Sequence, residues 1–237
     1  MNFEEIYKKA LEENNLLCFY TPSITSKMEY LCQELVRVNS YMNLTAITDT
    51  ESIVYRHIVD CLQVCPYIKE GARVIDIGCG GGFPTLPLAI ARPDLEITAL
   101  DSTAKKLEFV KGVAKDLALN VTTVSARAEE LGNDPCYREK FDVGVSRAVA
   151  RLSILNELCI PFVCVGGTFL AMKGQDHEAE LFECKNAFAK LGAEFVSDNA
   201  FDMDNAGVRS IMVIKKIGNT ALKYPRAYAK IKKSPLV

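Results

Sequence analysis

Four glycines fall within the nine residues DIGCGGGFP at 76–84, directly after the apolar run ARVI. Glycine at that density weakens any helix or strand that contains it, so the stretch reads as a tight loop closing a strand. Short β-rich runs follow: ARVIDIG, EITALD, VTTVSA, FDVGVS, GTFLAMKG, AEFVS and VRSIMVIKKI. Between the early runs lie helix-length segments, TAKKLEFVKGVAKDLAL, RLSILNELCIPFV and DHEAELFECKNAFAKLG. Strands that alternate with helices in this way predict an α/β, Rossmann-like, doubly wound sheet of seven mostly parallel strands. The last two runs are separated only by Asp198 to Gly207, too little for a crossover helix, and are expected to pair antiparallel at one edge.

In such a sheet, ligands sit beyond the carboxyl ends of the strands, where the loop after the first strand lies. Spacing then selects the ligand. A dinucleotide fingerprint begun at Gly78 and Gly80 requires glycine at position 83, which is Phe83. No G-x-x-x-x-G-K-[ST] loop is present either. What does match is D-x-G-x-G-x-G, carried by Asp76, Gly78, Gly80 and Gly82, with Asp101 at the end of the second strand. This pattern resembles the S-adenosylmethionine site of class I methyltransferases. Asp101 would accept hydrogen bonds from the ribose hydroxyls; alternatively it is a helix N-cap, with Ser102 and Thr103 as competing caps. After the third strand, Ala128 and Glu129 of SARAEEL stand where such enzymes receive adenine.

The region before residue 69 reads as a helical extension. Ile24, Met28, Leu31, Leu35 and Val38 form one apolar face, and Thr48-x-x-Glu51 has the spacing of a capping box ahead of SIVYRHIVDCLQVC. The domain reading is therefore helices at 1–68, a core at 69–218 and a basic C-terminal tail at 219–237. Residues 215–237 carry seven Lys or Arg and no Asp or Glu, although the whole chain has a net charge of −2. Nine cysteines without a C-x-x-C pair, and only two histidines, read as reduced thiols with no metal site. The N-terminus lacks the pattern of a secretory signal, and the longest apolar stretch is interrupted by Asn156, Glu157, Pro161 and a glycine pair, so the expectation is a soluble cytoplasmic protein with no membrane partner.

Taken in order, MNLTAIT, RHIVDCL, DIGCGGGFPTLPLAIARP, LDSTAKKLEFV, ARAEEL, FDVGVSRAVARL, GGTFLAMKG and YPRAYAKIKKSPL resemble the ribosomal small-subunit methyltransferase G family, also called glucose-inhibited division protein B. The resemblance covers nearly everything from about residue 22 onward. It implies methylation of N7 of a guanine in bacterial 16S ribosomal RNA, with S-adenosylmethionine as donor, and either 16S RNA or the assembling small subunit as partner. It also implies cofactor contacts at Gly78, Phe83, Ala128, Glu129 and Arg147. One departure is Cys79, where the family commonly has another small residue.

Guanine N7 has a lone pair and no proton at neutral pH, so no general base is expected. The fourth strand ends in SRAVA rather than the [DN]-P-P-[YF] of amino-methylating enzymes. Arg127, Arg147 and Lys173 are the candidates for stabilising charge at the reaction centre, with ion pairing as the alternative role for each. Tyr224 and Tyr228, among the C-terminal cations, could stack on a base, or the tail could simply be solvated. Arg56 and His57 are weaker RNA-contact candidates. Two other readings remain at this point: the same fold acting on a small molecule or protein, and a non-catalytic RNA-binding assembly protein. A monomer is expected.

Overall fold

The β-rich runs pair into one seven-stranded sheet in the order β3-β2-β1-β4-β5-β7-β6. The strands are β1 (Arg73–Ile77), β2 (Glu96–Asp101), β3 (Val121–Ser125), β4 (Phe141–Arg147), β5 (Val163–Lys173), β6 (Ala193–Met203) and β7 (Gly207–Lys216). This computed structural model describes residues 1–184, 186–203 and 206–237. β1 pairs in parallel with both β2 and β4, with Ile75 opposite Thr98 on one side and Gly144 on the other. Chain direction across the sheet reverses between these two neighbours, so a crevice opens at the end of β1. β7 runs antiparallel to β5 and β6, as the short separation of the last two runs requires; Asp204 and Asn205, in their connection, lie outside the described residues.

Helices fill the connections and cover both faces. On one face lie α1 (Phe3–Glu13), α2 (Pro22–Met42), α3 (Thr50–Ile53) and α4 (Asp60–Leu62), together with α5 (Thr85–Ala91) and α6 (Ala104–Asp116). After β3 comes the short α7 (Ala128–Leu131), and on the second face α8 (Leu152–Cys159), α9 (His177–Glu183), α10 (Ala187–Lys190) and α11 (Tyr228–Lys233). The predicted helix at DHEAELFECKNAFAKLG is therefore two short ones, with Lys185 outside the described residues. Apolar faces drive this layering: Met28, Leu31, Leu35 and Val38 of α2 are buried together, each such side chain contributing about 1.5–3 kcal/mol.

Local chemistry fixes the helix starts. Asn2 and Glu5 form a reciprocal capping box on α1, and the Thr21 hydroxyl accepts from the Ile24 amide at the start of α2. α3 starts one residue later than the Thr48 spacing implies, because the Asp49 carboxylate accepts from the Ser52 amide at 2.8 Å and takes the capping role itself. Between α3 and α4 the chain winds into a π-helical turn, Val54–Val59. Such turns put an extra residue into a helix and often mark functional sites.

The C-terminal cations do not form a free tail. Tyr224, Ile231 and Leu236 are buried, and Arg226 grips the Glu157 carboxylate, itself 0% exposed, through side-chain bonds of 2.6–3.1 Å. Lys216 is buried too, paired with Glu139 at 3.1 Å. Packing thus removes Tyr224, Lys216 and Arg226 from the surface on which a phosphate or base would land, whereas Lys230, Lys232 and Lys233 stay exposed.

Candidate active site

The loop after β1 is built on three left-handed glycines. Gly78, Gly80 and Gly82 have φ of +76°, +54° and +86°, a region costly to other residues. The Gly78 and Cys79 amides both donate to the Leu100 carbonyl, at 2.8 and 3.1 Å, which lays the loop across the end of β2. A Cβ at Gly78 would stand 2.5 Å from Val149 Cγ2, whereas at Gly80 it would meet open space. Asp101 serves both the loop and the following turn: one oxygen accepts from the Gly80 amide at 2.9 Å and the other from Thr103 at 2.8 Å. Beneath the loop, buried Asp76 accepts from the Thr85 hydroxyl and amide through a single oxygen. Among the described residues its other oxygen has no partner, and burial pushes the carboxyl up to about 7.

Beside the loop lies a cavity of about 460 Å³. Its walls bring together Gly78, Gly80, Phe83, Asp101, Ala128, Glu129 and Arg147, and also Arg127. The ends of β2 and β4 and the start of α7 supply the carboxylates and the arginines, while Ile77, Leu100, Ala126 and Leu158 give it apolar surface. Arg127 is spoken for in part: its Nε donates to Glu129 at 2.9 Å, and its guanidinium lies 4.7 Å from the centroid of the Tyr228 ring. Cys79 is buried, and burial pushes its thiol far up, which leaves no thiolate nucleophile.

Arg147 at the end of β4 ties the sheet to the π-helical turn. It donates to the Arg56 carbonyl at 2.8 Å and to Asp60 at 3.0 Å, and lies 3.2 Å from His57 Nδ1. The His57 ring stacks on Phe83 at 4.8 Å, with its Nε2 2.9 Å from the Thr45 hydroxyl. Sequence reasoning placed His57 among RNA contacts and passed over Thr45. The π-helical turn that swings His57 against the glycine loop has no residue signature; only the presence of MNLTAIT and RHIVDCL as fixed neighbours of the loop motif could have hinted at it.

Burial, then the positive charge of Arg147, pulls His57 down from 6.5 to about 4. The unfolded chain therefore takes up this proton first. Stability from the neutral ring is complete above 6.5 and drains as pH falls toward 4. Asp76 acts in the opposite sense, its raised value costing stability as pH rises from 3.8 through 7. We expect His57→Gln to flatten the acid side of the profile, so that the gap in thermal midpoint between it and the parent chain narrows as pH drops from 6.5 to 4. A constant gap across that range contradicts the assignment.

Lys173 is not in this cavity. Its ammonium is buried, paired with Glu180 at 2.7 Å and donating to the Ala150 carbonyl at 2.7 Å. The structure places it instead on a second cavity of about 420 Å³, because β5 ends beyond the wall formed by Arg147 to Val149. That wall borders both cavities. Phe201, Arg209 and Ser210 from β6 and β7 complete the second, and Arg209 reaches Asp60 at 3.4 Å. Among the described residues no group of three or more His, Cys, Asp or Glu could hold a metal ion, and no helix is long and apolar enough to cross a membrane.

Comparison with known proteins converges on one family. The family model described as rRNA small subunit methyltransferase G matches residues 24–208. The ribosomal RNA small subunit methyltransferase G of Lactobacillus delbrueckii subsp. bulgaricus is 40% identical over 98% of this chain and 99% of its own length. The protein of the same name from Acetivibrio thermocellus is 45% identical over 84% of this chain and 83% of its own. Among solved structures, M. jannaschii TYW2 in complex with AdoMet aligns with a TM-score of 0.54 at 17% identity, covering 68% of this chain and 76% of that one. A putative rRNA-methylase from Clostridium thermocellum aligns with a TM-score of 0.50 at 17% identity, covering 67% and 94%. These structural likenesses establish the class I methyltransferase fold.

Proposed function

The chain belongs to the rRNA small subunit methyltransferase G family, and on that premise we propose that it transfers a methyl group from S-adenosylmethionine to N7 of a guanine in 16S ribosomal RNA. The observation that carries this reading is the pair of cavities meeting at Arg147 to Val149. The first fits a nucleoside without phosphate. Its apolar patches suit a flat base, Asp101 and Glu129 are acceptors for hydroxyl and amino groups, and the open side of Gly80 lets backbone approach closely. The second cavity, with Phe201 and Arg209 on its walls, has an aromatic face and a cation for an RNA base and its phosphate.

When bound, S-adenosylmethionine supplies a methyl group activated by the adjacent positive sulfur. The chain's own contribution is placement and electrostatics. Alignment of reacting groups can supply roughly 7–11 kcal/mol of a barrier, and the wall from Arg147 to Val149, which borders both cavities, is where donor and acceptor would be aligned. Among the described residues buried Arg147 Nε has no partner, a donor left over on that wall; it fits an acceptor such as a carboxylate or guanine O6. His57, neutral and engaged by Thr45, neither adds a charge nor takes a proton.

Because N7 carries no proton to remove, the rate needs no base limb. We expect kcat/KM to stay flat from about pH 7.5 to about pH 9, where a base-dependent step would rise tenfold per unit until its base is ionised. The acceptor class is tested by offering labelled S-adenosylmethionine with naked 16S RNA, with small-subunit particles, and with protein and small-molecule mixtures. Label entering RNA in either form is the expected result. Label confined to protein or small molecules contradicts the proposal.

A further inference from the structure

The matched family segment ends at residue 208, yet one wall of the first cavity comes from beyond it. Tyr228, the first residue of α11, lines the cavity together with Ala126, Ala128 and Leu158. We propose that the C-terminal segment is a clasp on the cofactor site, and that the Tyr228 ring is a contact surface for the adenine of S-adenosylmethionine. This inference rests on the cofactor reading given above.

Three features support it. First, Tyr228 is held on both sides. Two residues earlier, Arg226 is locked to Glu157, and three residues later Ile231 is fully buried. The approach to it is tied down as well: Arg138 donates to the Tyr224 carbonyl at 2.8 Å, and Asn133 to the Pro225 carbonyl at 3.2 Å. A ring so anchored loses little freedom when a ligand arrives, which lowers the cost of binding. Second, the ring has a cation on one face. Arg127 stands 4.7 Å from its centroid and is itself steadied by Glu129, a cation–π arrangement that joins the loop after β3 to the C-terminal segment. Third, the cavity wall also holds apolar Ala126, Ala128 and Leu158, with Ala126 and Ala128 flanking Arg127 in the chain. The Tyr228 ring adds an aromatic surface to these apolar side chains, suited to a flat heterocycle, while Asp101 and the glycine loop on the same cavity offer hydrogen-bonding groups.

Calorimetry with S-adenosylhomocysteine tests the assignment. Tyr228→Ala is expected to weaken binding about tenfold, whereas Tyr228→Phe, which keeps the ring, stays within about twofold. Methylthioadenosine, which has the base and ribose but lacks the amino acid, should lose the same factor in Tyr228→Ala. Because the chain contains no tryptophan, Tyr228→Trp adds a single indole at this wall. Its emission should change saturably at the concentration where calorimetry detects binding, a readout that survives even if the alanine variant folds poorly. Binding by the parent chain with Tyr228→Ala unchanged, or an indole blind to the ligand, overturns the inference alone. No binding by the parent chain overturns the cofactor reading, and the clasp with it.

Discussion

Arg147→Met should lower methyl transfer by at least about 100-fold, the order found when one preorganised donor is removed from an active site. The guanidinium is the joint between the sheet and the N-terminal helices: it reaches the Arg56 carbonyl, Asp60 and His57, and lies 5.6 Å from the centroid of Phe83. Methionine keeps the stem and removes every one of these bonds. Asp60, whose side chain is 7% exposed, is then left with Arg209 at 3.4 Å. Breaking a buried pair on one side costs about 3–5 kcal/mol, and the remaining Arg209 contact puts the expected loss at the lower end. Arg147→Lys is the informative control. It restores the charge but not the planar guanidinium fork, so it should recover more stability than activity. Urea unfolding, calorimetry with S-adenosylhomocysteine and the transfer rate read the three effects separately; wild-type values in Arg147→Met for all three would refute the role.

Arg226→Ala should be the most destabilising change outside the site, by about 3–5 kcal/mol. Glu157 has no solvent exposure, and both its oxygens are taken by the Arg226 side chain. Truncation leaves the Arg226 amide, which also donates to Glu157, as the remaining partner from that residue. A buried carboxylate so stripped pulls the C-terminal segment open. The double change Arg226→Met with Glu157→Leu removes the stranded charge and should recover most of the loss, since an apolar pair of similar size often replaces a buried ion pair without penalty. Urea midpoints measure both variants. A single variant as stable as the parent, or a double variant no better than the single, contradicts this account of how the C-terminal segment is held.

The sheet and the glycine loop were legible because their signals are local. Strand runs alternate with helix-length gaps, and three left-handed backbone positions demand glycine whatever surrounds them. Asp101 follows from spacing to that loop, whereas Phe83 enters the site reading only through the family resemblance. What the sequence hides is where tertiary packing decides. Lys173 sits at a strand end like the other candidates, yet Glu180 on α9 draws it to the far side of the β4 wall. Arg226 looks as solvated as its neighbouring cations until Glu157, inside an apolar run, proves to be its partner. Thr45 and His57 are ordinary polar residues in a helical preface. The π-helical turn and the stack on Phe83 turn them into cavity wall.

Methylation at guanine N7 has a direct chemical assay. N7-methylguanosine, unlike guanosine methylated on its exocyclic amine, becomes labile to strand scission by aniline after borohydride reduction. Treatment of 16S RNA or small-subunit particles with the protein and S-adenosylmethionine should create one new cut, at a guanine outside regular A-form helix, absent when Arg147→Met is used. Methyl incorporation without scission, or with scission only where untreated RNA also breaks, would contradict the account.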